Sequence, residues 1–247
     1  MGARWRRYIV LGIVLVVLLA ATVWVSEMDM LKFRPPATYG EITERLWQHV
    51  LMVGVAELIA ICVGIPLGII VTRPAFRFLS PVIIGAANVG QTLPSLGVVA
   101  IIAVLLGQFG FFPAVIALFI YGVLPIIRNS YAGINTIDPS VVESARGMGM
   151  SRAQVLRRIE LPLALPVIMA GIRTSTVINV GTAALAALIG AGGMGMIVLA
   201  GLFNNLPRLV LQRAAPTAAL AIVLDALLGE IENITTSPGL KAQRPTG

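Results

Sequence analysis

The chain has 247 residues, 57% hydrophobic and only 12% charged, about half the ~25% charge of an ordinary soluble domain. That composition excludes intrinsic disorder and argues against a water-soluble enzyme. A single cysteine, Cys62, and a single histidine, His49, leave no internal disulfide framework and no multi-histidine metal site, so no catalytic or metal residues are assigned.

The formal charge of +7 comes without a basic stripe carrying interleaved aromatics, so nucleic acid is not an expected partner. In a chain this apolar, excess charge is a topological signal. The expectation is an all-α integral membrane protein with six transmembrane helices, each of roughly 20 apolar residues. The first, residues 8–25, follows Arg4, Arg6 and Arg7. It exceeds a signal-peptide h-region and lacks a clear A-x-A site, so residues 1–30 read as a membrane anchor. Residues 31–49 read as an extracytoplasmic linker, with a surface helix over 41–48 and His49 at the interface.

The second span covers about 50–71 and carries Glu57. The third covers about 81–106 and contains Asn88-Val-Gly-Gln-Thr-Leu-Pro-Ser95. There Pro94 removes a backbone donor and opens the helix beside Gln91, Thr92 and Ser95. A broken helix is tolerated in a membrane where it faces protein or a watery cavity. The fourth span covers about 111–127.

The polar segment 128–161 is a cytoplasmic loop with legible punctuation. Asp138-Pro139 offers an N-cap followed by proline at the first helical position, starting a helix through Arg146. Gly147-Met-Gly149 breaks that helix. Ser151, with Gln154 three residues later, forms a capping box for a second helix. That helix is expected to yield near Leu161, because the residue before Pro162 avoids the α conformation. Two capped helices joined at a bend suit a docking surface better than a solvated connection.

The fifth span covers about 163–189 and holds Arg173, Thr174, Ser175, Thr176, Asn179, Gly181 and Thr182. Its small polar residues read first as allowing close helix packing; the alternative is that they line a translocation path together with Gln91, Thr92, Pro94 and Ser95, and the two readings are compatible. An apolar stretch at 194–203 is too short to cross. The sixth span, about 214–228, carries Asp225, and a short polar tail follows over 233–247. Glu57, Arg173 and Asp225 are the charges at membrane depth. A charge there costs about 2.5–3.5 kcal/mol on insertion scales, so Glu57 or Asp225 is expected to neutralise Arg173. Six crossings put both termini on one side, where twelve Lys/Arg lie against five on the other, with Arg173 inside a span. Both termini are therefore expected to be cytoplasmic.

Glu143-Ser-Ala-x-x-x-Gly149, followed after nine residues by Ile159-x-Leu161-Pro162, resembles the EAA loop of binding-protein-dependent ABC importer permeases. Ser144 replaces the second alanine, a small-for-small change. The resemblance covers about residues 39–240, including Gln91-Thr-Leu-Pro-Ser95 and Ala187-Leu-Ile-Gly-Ala-Gly-Gly-Met-Gly195. Within the family, the stretches 138–150 and 171–195 are most similar to permeases for glycine betaine, carnitine and choline.

The resemblance implies a type I importer permease with a MetI-like fold, its permease domain over 50–232, in a bacterial-type plasma membrane. It implies a second permease subunit (the same chain or a paralogue), two cytoplasmic ATPase subunits and an extracytoplasmic substrate-binding protein. Glu143, Ser144, Ala145, Gly149, Ile159, Leu161 and Pro162 take the ATPase-coupling role. The chain has no G-x-x-x-x-G-K-[ST], so it needs no cofactor of its own, and ATP and Mg belong to the partner ATPase. Deep in the spans only Phe119 and Tyr121 are available to a quaternary ammonium, too few for an aromatic cage within one subunit. Selective binding then falls to the external protein. The runner-up is uptake of amino acids or another small solute. An intramembrane enzyme is disfavoured by the absence of H-E-x-x-H and G-x-S-x-G, and a passive channel has no use for the loop.

Overall fold

In a computed structural model, the described residues are 39–236 together with Ile9, Leu11, Gly12, Ile13, Val16 and Ala20. Apart from those six positions, the anchor expected over 1–30 lies outside the described residues, as does the tail beyond 236. Every regular element described is helical.

Helix α1 runs from Tyr39 to Ile70. Residues 41–48, expected as a separate surface helix in a linker, are its opening turns. No proline or glycine stands between Glu41 and Val53 to end the helix there. His49 is fully buried, and its Nε2–H donates to the Val180 carbonyl at 3.0 Å. A 3-10 turn, Arg77–Leu79, leads into α2 (Ser80–Gly90), and after a break comes α3 (Ser95–Leu106). Helix α4 spans Phe111–Asn135, and α5 is Pro139–Gly147. Helix α6 (Arg152–Val155), a π turn (Leu156–Glu160), α7 (Leu161–Leu185) and a 3-10 turn (Ala186–Ile189) follow without interruption. Helices α8 (Met194–Phe203) and α9 (Pro207–Thr235) complete the order.

Among the described residues, Gly40–Ile70, Phe111–Asn135, Arg152–Ile189 and Arg213–Thr235 are long and apolar enough to cross a membrane. The bent pair Arg77–Gly90 and Ser95–Leu106 adds a fifth if it is one span. The helices outrun the apolar stretches: α4 continues eight residues past Ile127, and α9 begins at Pro207 and continues to Thr235. Hydropathy locates the part that suits lipid, whereas the helix itself continues until a cap or a breaker stops it.

The helical stretch expected as the third span is interrupted between Gly90 and Ser95. Thr92 N–H closes back on Val89 and Leu93 N–H on Gly90, at 2.9 and 3.3 Å, and Pro94 then takes an extended conformation. The buried Tyr121 hydroxyl donates to the Leu93 carbonyl, supplying a partner at the broken turn.

The chain divides into two compact units. Within 39–236, one comprises 39–56, 94–118 and 176–225, with a core that includes Met52, Val99, Leu118, Val180 and Ile189. The other comprises 57–93, 119–175 and 226–236, around Ala60, Ile126, Ala164, Ile168 and Ile172. Within the second unit, α7 and α4 approach so closely at Gly171 that a Cβ there would lie 2.6 Å from Asn129 Cβ and 3.0 Å from the Pro125 carbonyl oxygen. Gly171→Ala is therefore expected to destabilise the protein by about 1–3 kcal/mol, seen as a lower melting temperature in detergent. Gly54→Ala, where nothing lies within 4 Å of the added carbon, is the control and should be neutral or stabilising.

Candidate functional site

The polar segment between α4 and α7 is an elbow whose every turn has a local cause. Asp138 is the N-cap of α5: its carboxylate accepts the Ser140 N–H at 2.9 Å, and Pro139 fills the first turn. That hydrogen bond holds the Asp138 carboxyl below its ordinary range. The cap therefore stays charged through neutral pH and is lost only as pH falls through the lowered value.

The far end of α5 is a Schellman motif. Met150 N–H reaches the Ala145 carbonyl at 3.2 Å and Gly149 N–H reaches Arg146 at 2.9 Å. Gly149 occupies the left-handed position with φ +82°. Of the two glycines expected to break the helix, Gly149 supplies that conformation, while Gly147 is the last helical residue. Ser151 and Gln154 then form the expected capping box, with reciprocal bonds of 3.3 and 2.8 Å.

The second helix does not end near Leu161. Leu161 is itself α-helical (φ −62°, ψ −47°), and its N–H bonds to Leu156, five residues back. Pro162 cannot donate to the carbonyl four residues before it, and its ring crowds that carbonyl. One π turn widens the helix there and lets it pass through the proline rather than stop. The elbow thus runs directly into the spanning helix Arg152–Ile189, which at 1.5 Å per residue is about 55 Å long against a ~30 Å hydrocarbon core.

The expected coupling residues divide by exposure. Glu143, Ser144 and Gly149 form an outer edge, joined by Met148, which is 71% exposed and was not singled out by its type. Ala145 is buried, Ile159 and Leu161 are half-buried, and Pro162 is exposed. Glu160, also unanticipated, is buried and held by Arg73 in a two-pronged ion pair of 3.1 and 2.6 Å. No local signal reveals a pair 87 positions apart.

Of the expected path residues, Gln91 is half-buried and Thr92 exposed in one unit, the Thr92 hydroxyl donating to Val89 at 2.7 Å. Pro94, Ser95, Asn179 and Thr182 belong to the other unit, where Asn179 and Thr182 are buried. For the charges at membrane depth, Glu57 accepts the Ser175 hydroxyl at 2.9 Å. Arg173 donates to Glu232 at 3.2 Å, a partner outside the expected set. Glu232 lies seven residues beyond Asp225 on α9, the spacing of one helix face, but past the end expected for the sixth span.

Residues 64–233 match the family described as binding-protein-dependent transport system inner membrane component. The choline transport system permease protein OpuBB of Bacillus subtilis is 43% identical over 202 residues, covering 82% of this chain and 92% of that one. The osmoprotectant import permease protein OsmY of Salmonella typhimurium is 41% identical over 224 residues, covering 90% and 92%. Among solved structures, an inward-facing MetNI methionine ABC transporter chain is similar in fold, with TM-score 0.69, 20% identity, and coverage of 83% of this chain and 100% of that one.

Because the elbow depends on a left-handed residue, Gly149→Ala is expected to weaken it by about 1–2 kcal/mol, with roughly tenfold faster hydrogen exchange at the Met150 amide. Gly147→Ala, where nothing lies within 4 Å of the added carbon, should leave that exchange unchanged.

Proposed function

The chain belongs to the family of binding-protein-dependent transport system inner membrane components, and from that membership we propose that it is one half of the translocation pathway of an ATP-driven importer for compatible solutes. The solutes are quaternary amines such as glycine betaine, carnitine or choline. Relatives at about 40% identity over most of the chain are named for choline, carnitine, glycine betaine and osmoprotectant transport, which supports that substrate class. The chain itself is a multi-pass membrane permease subunit rather than an enzyme. A second permease subunit, two cytoplasmic ATPase subunits and an extracytoplasmic binding protein complete the assembly. Six crossings, both termini in the cytoplasm and a place in the plasma membrane follow from the Lys/Arg asymmetry and from this assignment.

The observation that carries the mechanism is the unbroken run from the capped elbow into Arg152–Ile189. Glu143, Ser144, Met148 and Gly149 form the edge that docks on the ATPase, while Ala145, Ile159 and Leu161 hold the elbow to its own chain. Closure of the ATPase dimer displaces the elbow, and a helix without a hinge at Pro162 carries that displacement into the membrane as a rigid body. Solute moves past Gln91, Thr92, Pro94, Ser95, Asn179 and Thr182. The broken helix there exposes polar groups without a strong site, and Tyr121, one of two deep aromatics, already has its hydroxyl on the Leu93 carbonyl. Affinity resides in the external protein, and the permease offers a weak, fast route. Glu57, Arg173, Asp225 and Glu232 keep the spanning helices electrically matched.

Three measurements test these assignments. Glu143→Arg should weaken capture of the ATPase subunit at least about tenfold, or 1.4 kcal/mol, in detergent co-purification, and undiminished capture refutes the docking edge. In a Cys62→Ser background, Thr92→Cys and Asn179→Cys should each react with a membrane-impermeant thiol reagent in at least one transport state. If neither does, those residues do not line the route. Calorimetry on the companion binding protein should give heat with glycine betaine, carnitine or choline, whereas heat with amino acids alone would move the substrate class to the runner-up.

A further inference from the structure

We propose that Arg73 and Glu160 form a mechanical tie through which the elbow moves α1 together with the helix it feeds, making both of them positioning residues for transport. The proposal rests on the coupling reading given above and extends it to a second spanning helix.

Both ends of the tie are rigid. Arg73 N–H bonds to Ile70 at 3.0 Å, Thr72 N–H to Ile69 at 3.1 Å, and the Thr72 hydroxyl to Ile69 at 2.6 Å, so Arg73 prolongs the last turn of α1. Its own carbonyl accepts the Phe76 N–H at 2.9 Å. Glu160 sits in the π turn that Pro162 imposes, between Ile159 and Leu161. The Arg73 Nη1 and Nη2 meet Glu160 Oε1 and Oε2 at 3.1 and 2.6 Å, one donor to each oxygen. A two-pronged guanidinium–carboxylate pair fixes orientation as well as distance, which a single point contact does not. The Glu160 side chain is only 7% exposed and that of Arg73 31%, so solvent screens the pair far less than it screens the arginines on the elbow's outer face.

The position gives the pair its consequence. A push on the elbow travels along Arg152–Ile189 through the backbone, and it reaches the end of α1 through the close packing of Gly68 on α4 and through the Arg73–Glu160 fork. The fork is the directional, charge-assisted contact available for that. With it intact, the elbow and α1 move as one body. Without it, the ATPase still docks and closes, and α1 lags.

The test is reconstitution of the full assembly, permease with ATPase subunits and binding protein, in liposomes. Solute uptake and ATP hydrolysis are measured on the same preparation. In Arg73→Ala and in Glu160→Gln the ATPase should co-purify normally and hydrolysis should persist, while uptake per ATP falls about tenfold, within the 5–150-fold range of a typical coupling energy. Arg73→Lys keeps the charge without the fork and should fall between wild type and Arg73→Ala; it carries the test if Arg73→Ala does not fold. The exchanged pair Arg73→Glu with Glu160→Arg should recover most of the uptake per ATP that either change alone loses. Uptake and hydrolysis falling in proportion, with their ratio unchanged, overturns the tie, because a merely structural pair behaves that way. A folded, ATPase-bound exchanged pair no better than its single variants overturns it too. Failure of the docking reading shows separately: Glu143→Arg would then retain the ATPase, whatever the ratio in the Arg73 variants.

Discussion

The structure depends on how a chain in hydrocarbon handles the backbone groups that proline leaves unmatched. Lipid offers no hydrogen bonds, so each freed carbonyl needs a partner from the protein itself. At Pro94 the helix gives way: tight turns close over Val89 and Gly90, and the Tyr121 hydroxyl supplies a partner to Leu93. At Pro162 the helix survives by widening into a π turn. Pro125 stays inside α4, and the Asn129 amide donates to Pro125's own carbonyl at 2.8 Å, not to the Tyr121 carbonyl that the proline deprives of its helical donor. One residue type thus yields a break, a bulge or an uninterrupted helix.

Local signals were legible and distant ones were not. The Asp138 cap, the Ser151–Gln154 box and the glycine exit of α5 are short-range hydrogen-bond patterns, and the sequence pattern placed them within a residue. The stop at Leu161 was misplaced for a physical reason. The rule that a residue before proline leaves the α region holds for a free chain, and a π turn anchored by the buried Glu160 supplies the way round it. Helix ends in α4 and α9 were cut short because hydropathy falls off before helicity does. Arg128 and Glu230 leave the apolar stretch without leaving the helix.

The same gap between apolar stretch and helix accounts for the charges. Span placement identified Arg173 as a group that must be compensated, and it identified Glu57 and Asp225 as the acids at membrane depth. It could not reach Glu232, which lies beyond the expected sixth span, although Glu232 shares a face with Asp225 in the helix that forms. Nor did it anticipate that Glu57 takes a hydroxyl donor, Ser175, from a cluster read as packing or path. The Ser175 hydroxyl is taken up by Glu57 and the Tyr121 hydroxyl by the Leu93 carbonyl.

In the proposed importer the route has too few deep aromatics for a cage, and weak binding is what a carrier driven by another subunit's free energy requires. A deep cage would hold the ammonium group and slow its release, so the contacts that select the solute belong on a separate protein that can let go. In the proposed importer, what must be strong is the linkage between motor and membrane: the elbow closed by Gly149, the helix that continues through Pro162, and the Arg73–Glu160 fork. Strength in the linkage and weakness along the route are two sides of one allocation. Free energy released by the ATPase shifts helices only if the elbow does not absorb it, and shifting helices release the solute only if nothing inside holds it tightly.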